Sequence, residues 1–357
     1  MGGGSWQASD LTNQHIVALA VNAASASQTL YAGSEDGTIF SSSDGQHWTK
    51  RERVAAVALT RLVVAPAGKT LYALTSRGLF ASTDNAQTWQ SVSTVTSGLP
   101  DDGYTTLAFD GQKDMYVGTR HNGIFMSNGM SGTHWKAIGV ALPRAINELV
   151  FDGTQHRIWA ATAGGVYRSE DMGVSWDALN TGLSVVDGVT TVQLVSNAGG
   201  DPQTVYVGTQ RGIFRSTDAG LHWAESGQLL HNIAIRCVLI DFRSTNGSTI
   251  YVGTPYGAFR SDDSGQNWHG VGGGLAANTP VAALAIGKDK ASQLYAAANT
   301  VYLFPGVNTG INPSRVVTLL LLILLFVSLF FIAQRGTRRR KAFLKTQKNA
   351  ENTSPTT

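Results

Sequence analysis

The chain repeats itself, and the repeat limits its fold more than any other feature. An aromatic residue inside a short apolar run returns at Tyr31, Tyr72, Tyr116, Trp159, Tyr206, Tyr251 and Tyr295, in "LYAGS", "LYALT", "MYVGT", "IWAAT", "VYVGT", "IYVGT" and "LYAAA". The successive steps are 41, 44, 43, 47, 45 and 44 residues. A second element follows in phase. "IFSSSDGQHW" ends at Trp48, "LFASTDNAQTW" at Trp89, "VYRSEDMGVSW" at Trp176, "IFRSTDAGLHW" at Trp223 and "AFRSDDSGQNW" at Trp268. A degenerate copy, "IFMSNGMSGTHW", ends at Trp135 without the aspartate. A repeat of this length holds four short strands, the size of one propeller blade. Alternating apolar residues, aromatic strands and turn glycines make every unit β. The expected fold is an all-β, seven-bladed β-propeller.

The seventh unit is incomplete. From about Pro280 it gives "VAALAIG", "LYAAA" and "VYLF", then stops without an aspartate turn or a tryptophan. The chain begins like the end of a unit, with Trp6 leading into "IVALAV". The N-terminal segment is therefore expected to supply the outer strand of the last blade, beside the Tyr295 strand. That removes the open edges of the ring.

The pattern Ser-x-Asp-x-Gly-x-x-Trp is complete at Ser169, Asp171, Gly173 and Trp176, at Ser216, Asp218, Gly220 and Trp223, and at Ser261, Asp263, Gly265 and Trp268. Asp44 with Trp48 and Asp84 with Trp89 are near copies. In this pattern residues 5–305 resemble the Asp-box, or BNR-repeat, propellers. That superfamily includes sialidases, sortilin-type receptors and the photosystem II assembly factor. The resemblance implies that Asp44, Asp84, Asp171, Asp218 and Asp263, with Trp48, Trp89, Trp176, Trp223 and Trp268, form structural turns between the third and fourth strands. The chemistry agrees. Ser and Asp side chains bond nearby backbone in tight turns, glycine permits positive φ, and tryptophan buries a large apolar area.

The same resemblance raises an alternative, a sialidase-like glycoside hydrolase. The residues argue against it. Arg168, Arg215 and Arg260 occupy repeat-equivalent positions, as do Tyr31, Tyr206 and Tyr251, so packing or surface roles are the simpler reading. The six glutamates do not stand beside a conspicuous tyrosine. No His/Cys metal spacing, phosphate loop or nucleophile elbow occurs. The lone Cys237, in "IRCVLI", reads as a buried small hydrophobe. No catalytic residue, cofactor or metal is expected.

In a propeller the turns between second and third strands lie opposite the aspartate turns. Here they place Arg77, Arg120, His121, Arg211 and Tyr256 on one face, together with the acidic Glu35 and Asp36. These five residues are the candidate ligand-binding set, for a protein or glycan partner. Clustered cations would attract an acidic one. The inter-blade loop "TSGLPDDGY" is a further candidate rim element.

Beyond residue 306 the character changes. Residues 307–315 read as a linker. The run from Val316 to Ala333 is 18 uncharged residues, "VVTLLLLILLFVSLFFIA". As a helix it would be about 27 Å long, enough to span a hydrocarbon core. Residues 334–357 form a basic tail with seven Lys/Arg and one Glu. Since the chain has 27 basic and 24 acidic residues, 20 and 23 remain for the rest. The basic pI thus belongs to the tail and does not argue for nucleic acid. The excess of cations after the apolar run predicts a single-pass membrane protein with a cytoplasmic tail and an extracytoplasmic propeller. The opening "MGGGSWQASD" has no basic or apolar leader region. This orientation therefore expects a segment upstream of the sequence. The competing expectation is a tail-anchored protein with a cytoplasmic propeller.

Overall fold

The computed structural model describes residues 4–305 apart from 25–27, 56, 95, 112, 140, 185–187, 196–203, 245–247, 277 and 288–292. These residues form seven four-stranded antiparallel sheets. The inner strands are Ile16–Asn22, Leu59–Val64, Tyr104–Asp110, Ile146–Asp152, Val189–Val195, Cys237–Asp241 and Ala283–Ile286, one for each of blades 1 to 7. In blades 1 to 6 the four strands follow in sequence order. In blade 7 the fourth strand is Gln7–Ala8, which pairs with Val301–Phe304 rather than with the Tyr295 strand expected from sequence, since Val301–Phe304 is the third strand and lies between them. The Trp6 indole donates to the Val271 carbonyl at 2.6 Å and packs its ring 5.2 Å from that of Phe304. The Trp6 side chain thereby ties blade 6 to blade 7.

The core lies between blades. One cluster joins Trp159 and Ala161 of blade 4 to Val192, Val205 and Val207 of blade 5. Another joins Tyr251 and Ala258 of blade 6 to Leu294 and Ala296 of blade 7. The seven repeated aromatics are all buried. Truncating one such ring typically costs about 3–5 kcal/mol. Several sit beneath the aspartate turn of the following blade. A Cβ on Gly220 would come within 2.9 Å of the Trp159 ring, and one on Gly45 within 2.1 Å of Tyr295. These glycines also have φ of +87° and +75°. Both the close approach and the backbone therefore require glycine there.

The inner strands carry a second repeated device. In blades 1 to 5 the pairing register slips at the second residue. In blades 2, 3 and 5 that residue is Thr60, Thr105 or Thr190. Each hydroxyl lies 2.9–3.0 Å from a carbonyl of its own blade and 2.6–2.7 Å from the carbonyl opening the next inner strand. In blade 4, Asn147 Nδ2 donates to the Val189 carbonyl at 2.7 Å. Blades 1, 6 and 7 have Val17, Arg236 and Ala282 at this place.

No helix among the described residues is long and apolar enough to cross a membrane. The apolar run 316–333, the linker and the basic tail all lie outside them.

Candidate functional site

Three regions hold the polar side chains that could carry function. The first is the set of aspartate turns. In blade 5, Ser216 donates to Asp218 Oδ1 at 2.7 Å and accepts the Gly220 N–H at 2.8 Å. Asp218 Oδ1 also accepts the His222 N–H at 2.9 Å, and the His222 ring bonds Oδ2 at 2.7 Å. Blades 2, 4 and 6 repeat this scheme around Asp84, Asp171 and Asp263, with Thr88, Ser175 and Asn267 in place of His222. Asp44 in blade 1 uses His47. The residue before each tryptophan thus varies in identity and keeps one property, a side chain that bonds the carboxylate. These bonds hold Asp84, Asp171 and Asp218 down to about 2. Each indole donates to a carbonyl, Trp48 and Trp176 to that of their own turn glycine, at 3.0 and 3.2 Å. Trp89 reaches Glu52, Trp223 reaches Leu179, and Trp268 reaches both Ser226 and Gly265. The ionised carboxylates have no proton to give and spend most of their acceptor capacity on their own turns.

The arginines at repeat positions also pack. Arg168, Arg215 and Arg260 lie directly across from Trp159, Tyr206 and Tyr251 in the strand register. Their guanidinium carbons stand 5.4, 6.0 and 5.5 Å from those rings. This is cation–π stacking within a blade.

The second region is the face opposite the aspartate turns, here called the front. The inner strands start there, each bonded to the turn between the second and third strands of the preceding blade. Leu59 N–H donates to the Glu35 carbonyl at 3.0 Å, and Ile235 N–H to that of Thr209 at 2.9 Å. Arg77, Arg120, Arg211 and Tyr256 occupy these turns with exposed side chains. Among the described residues neither Arg77 nor Arg120 has an ion-pair partner. His121 differs from them, because its ring bonds Asp102 at 2.8 Å. Asp102 also accepts from Asn122 Nδ2 and from the N–H groups of Gly103 and His121. Burial works against ionisation of Asp102, yet these four donors hold its pKa below the ordinary value. His121 is therefore a strut between its turn and the loop before Tyr104. Asp36 is likewise absorbed by Ser34, Thr38 and Arg53.

The third region was not singled out from sequence. The inner strands surround a central channel of about 540 Å³. The third residue of each inner strand of blades 1 to 5 is Ala18, Arg61, Thr106, Glu148 or Thr191, and the equivalent places in blades 6 and 7 hold Cys237 and Ala283. Arg61 reaches across the blade 3 position to Glu148, with Nη1 2.7 Å from Oε1. Glu148 is buried and also accepts the Thr191 hydroxyl and the Val192 N–H, the latter at 3.0 Å. Arg236 lines the same channel, exposed and with no ion-pair partner among the described residues. The sulfur of Cys237 sits over Gly253, and desolvation pushes its thiol up to about 12. It is a wall atom and not a nucleophile. Among the described channel-lining residues Glu148 is the one carboxylate, so the two-carboxylate arrangement of glycoside hydrolysis is not assembled there. No group of His, Cys, Asp and Glu able to hold a metal occurs among the described residues.

This geometry is that of a seven-bladed β-propeller. Residues 2–117 match the family model of the DUF6242 beta propeller domain. No curated protein sequence matches the chain. Solved structures do. The extracellular domain of BT4673 from B. thetaiotaomicron superposes with a TM-score of 0.67 at 15% identity, covering 84% of this chain and 40% of that one. YCF48 bound to D1 peptide gives 0.64 at 14% identity, over 86% and 96% of the two chains. The GH74 xyloglucanase from Xanthomonas campestris gives 0.66 at 16% identity, over 87% and 55%. The chain thus spans less than two thirds of the BT4673 domain and of the xyloglucanase, and nearly all of YCF48. At these identities the likeness shows the fold alone.

Proposed function

We propose that this chain is a non-enzymatic propeller that binds an acidic segment of a protein partner on its front face. The observation that carries the reading is the charge on that face. Blades 2, 3 and 5 each present an exposed arginine, Arg77, Arg120 and Arg211. Asp36 and Asp102 are consumed by bonds to neighbouring turns and loops, while Glu35 and Asp101 stay exposed and offset part of the charge. A ring of this kind raises the local concentration of an acidic partner and speeds its encounter. YCF48, a propeller of similar size, is described bound to a D1 peptide, which supports peptide binding as a use of this fold. We further propose that residues 316–333 anchor the chain, with the basic tail cytoplasmic and the propeller outside. The support is the 18-residue apolar run and the cations that follow it.

Capture from extracts of its own cell, with the full chain as bait, tests the binding role. Arg77→Glu combined with Arg120→Glu should remove the proteins enriched by the wild type, and raised salt should weaken their capture. Unchanged enrichment by the double variant would sink the reading. Protease applied to intact cells tests the anchor. It should digest the propeller and spare a tag placed after Thr357; the reverse outcome reverses the topology.

A further inference from the structure

The channel wall is uneven. Near the mouth, blades 7 and 1 contribute Ala282, Ala283, Val17 and Ala18, all small and apolar, with Leu284 and Leu19 next along the wall. On one side of this wall stands Arg236 of blade 6, and on the other Arg61 of blade 2. Both arginines lie at the start of their inner strands, so they sit at the mouth that opens on the front face. Glu148 neutralises Arg61 and, with three bonds to its two oxygens, has little capacity left. Arg236 has no such counter-charge among the described residues. The channel volume, about 540 Å³, falls in the range of small-ligand sites.

We propose that this mouth binds a carboxylate carried on a short apolar body, with Arg236 pairing the carboxylate and the Ala282, Ala283, Val17 and Ala18 wall taking the body. A guanidinium offers two parallel N–H groups that match a carboxylate. Small side chains leave the room that a branched aliphatic group fills. The same chemistry can come from two sources, the C-terminal residue of a peptide chain or a free organic acid. The proposal shares the front face with the proposed partner site, but its test uses small probes and none of the front-turn arginines.

The test is calorimetric titration of the full chain with 4-methylpentanoate, with acetyl-Ala-Ala-Leu bearing a free carboxylate, and with the same peptide amidated. At least one free acid should bind with a dissociation constant of about a millimolar or better, the scale of a weak specific contact. The amide should not. Arg236→Gln should weaken binding about tenfold or more, Arg236→Lys should recover part of it, and neither should move the melting temperature. Binding of the peptide alone identifies a chain terminus as the source; binding of 4-methylpentanoate alone identifies a small acid. The proposal is overturned if no free acid binds, if the amide binds equally, or if Arg236→Gln binds as well as the wild type.

Discussion

The aspartate turns and the channel wall are built from equivalent positions of the same seven units, yet they treat repetition in opposite ways. In the turns, Ser216 has counterparts at Ser42, Ser82, Ser169 and Ser261, and each makes the same bond to an aspartate two residues on. In the channel, the equivalent places hold Ala18, Arg61, Thr106, Glu148, Thr191, Cys237 and Ala283. A side chain that solves a local folding problem can recur unchanged from blade to blade, as it does here in five of the seven. A ligand standing in the middle of a ring meets each blade from a different direction and needs a different group from each. Sameness therefore marks the scaffold, and difference marks the place where recognition can act.

The largest effect should come from breaking the scaffold at its tightest point. Gly45→Ala places a Cβ 2.1 Å from the Tyr295 ring at a φ of +75°. Left-handed strain and overpacking together suggest a loss of about 2–5 kcal/mol. A drop in melting temperature of about 3–8 °C would follow. A melt unchanged from wild type would mean that the turn does not hold blade 7 against blade 1.

A change in the channel should do something different. Glu148→Gln removes the charge facing Arg61 while keeping the side-chain shape. Stability should fall by about 1–3 kcal/mol, the worth of hydrogen bonds to a charged group. Arg61 would then be left without its counter-charge, so an anionic probe should bind more tightly than to the wild type. Weaker binding would place Glu148 among the groups that hold the ligand.

A smaller effect is expected in acid. The folded-state pKa values near 2 for Asp84, Asp171 and Asp218 lie below the ordinary carboxylate value of about 3.9. Each turn's contribution is therefore complete above about pH 5, and is lost as pH falls through 4 towards 2. Replacing Asp84, Asp171 and Asp218 together by Asn should flatten the fall in melting temperature over that window. An unchanged acid profile would show that other carboxylates govern it.

The contrast between the two regions also explains what could be read beforehand. Seven blades and the buried aromatics announce themselves as phased copies, whereas the phase of Arg168, Arg215 and Arg260 left packing and surface roles both open. The varying residue before each tryptophan, by contrast, shows its role only when Thr88, Ser175, His222 and Asn267 are seen to bond the same oxygen. His121 stands in the predicted turn, but its bond to Asp102 joins residues 19 apart and follows no motif. The channel residues were missed because a search for repeats passes over positions that differ. A signal was there. Arg61, Glu148 and Arg236 put charges at the start of largely apolar inner strands, "LTRLVV", "INELVFD" and "IRCVLI". Aligning the seven inner strands by their shared place in the unit brings the interruptions to one end of the channel.

Two variants measured side by side test the division most directly. Ser216→Ala leaves the buried N–H of Gly220 without its acceptor, at a cost of about 1–3 kcal/mol. The Arg236 side chain makes no hydrogen bond or ion pair among the described residues, so Arg236→Gln should change stability by less than about 0.5 kcal/mol. Melting temperature and titration with the carboxylate probes should therefore separate them. The account predicts that Ser216→Ala melts several degrees lower and binds as the wild type does, while Arg236→Gln melts as the wild type and loses binding. Lost binding in Ser216→Ala at temperatures where it is fully folded, with binding intact in Arg236→Gln, would contradict it.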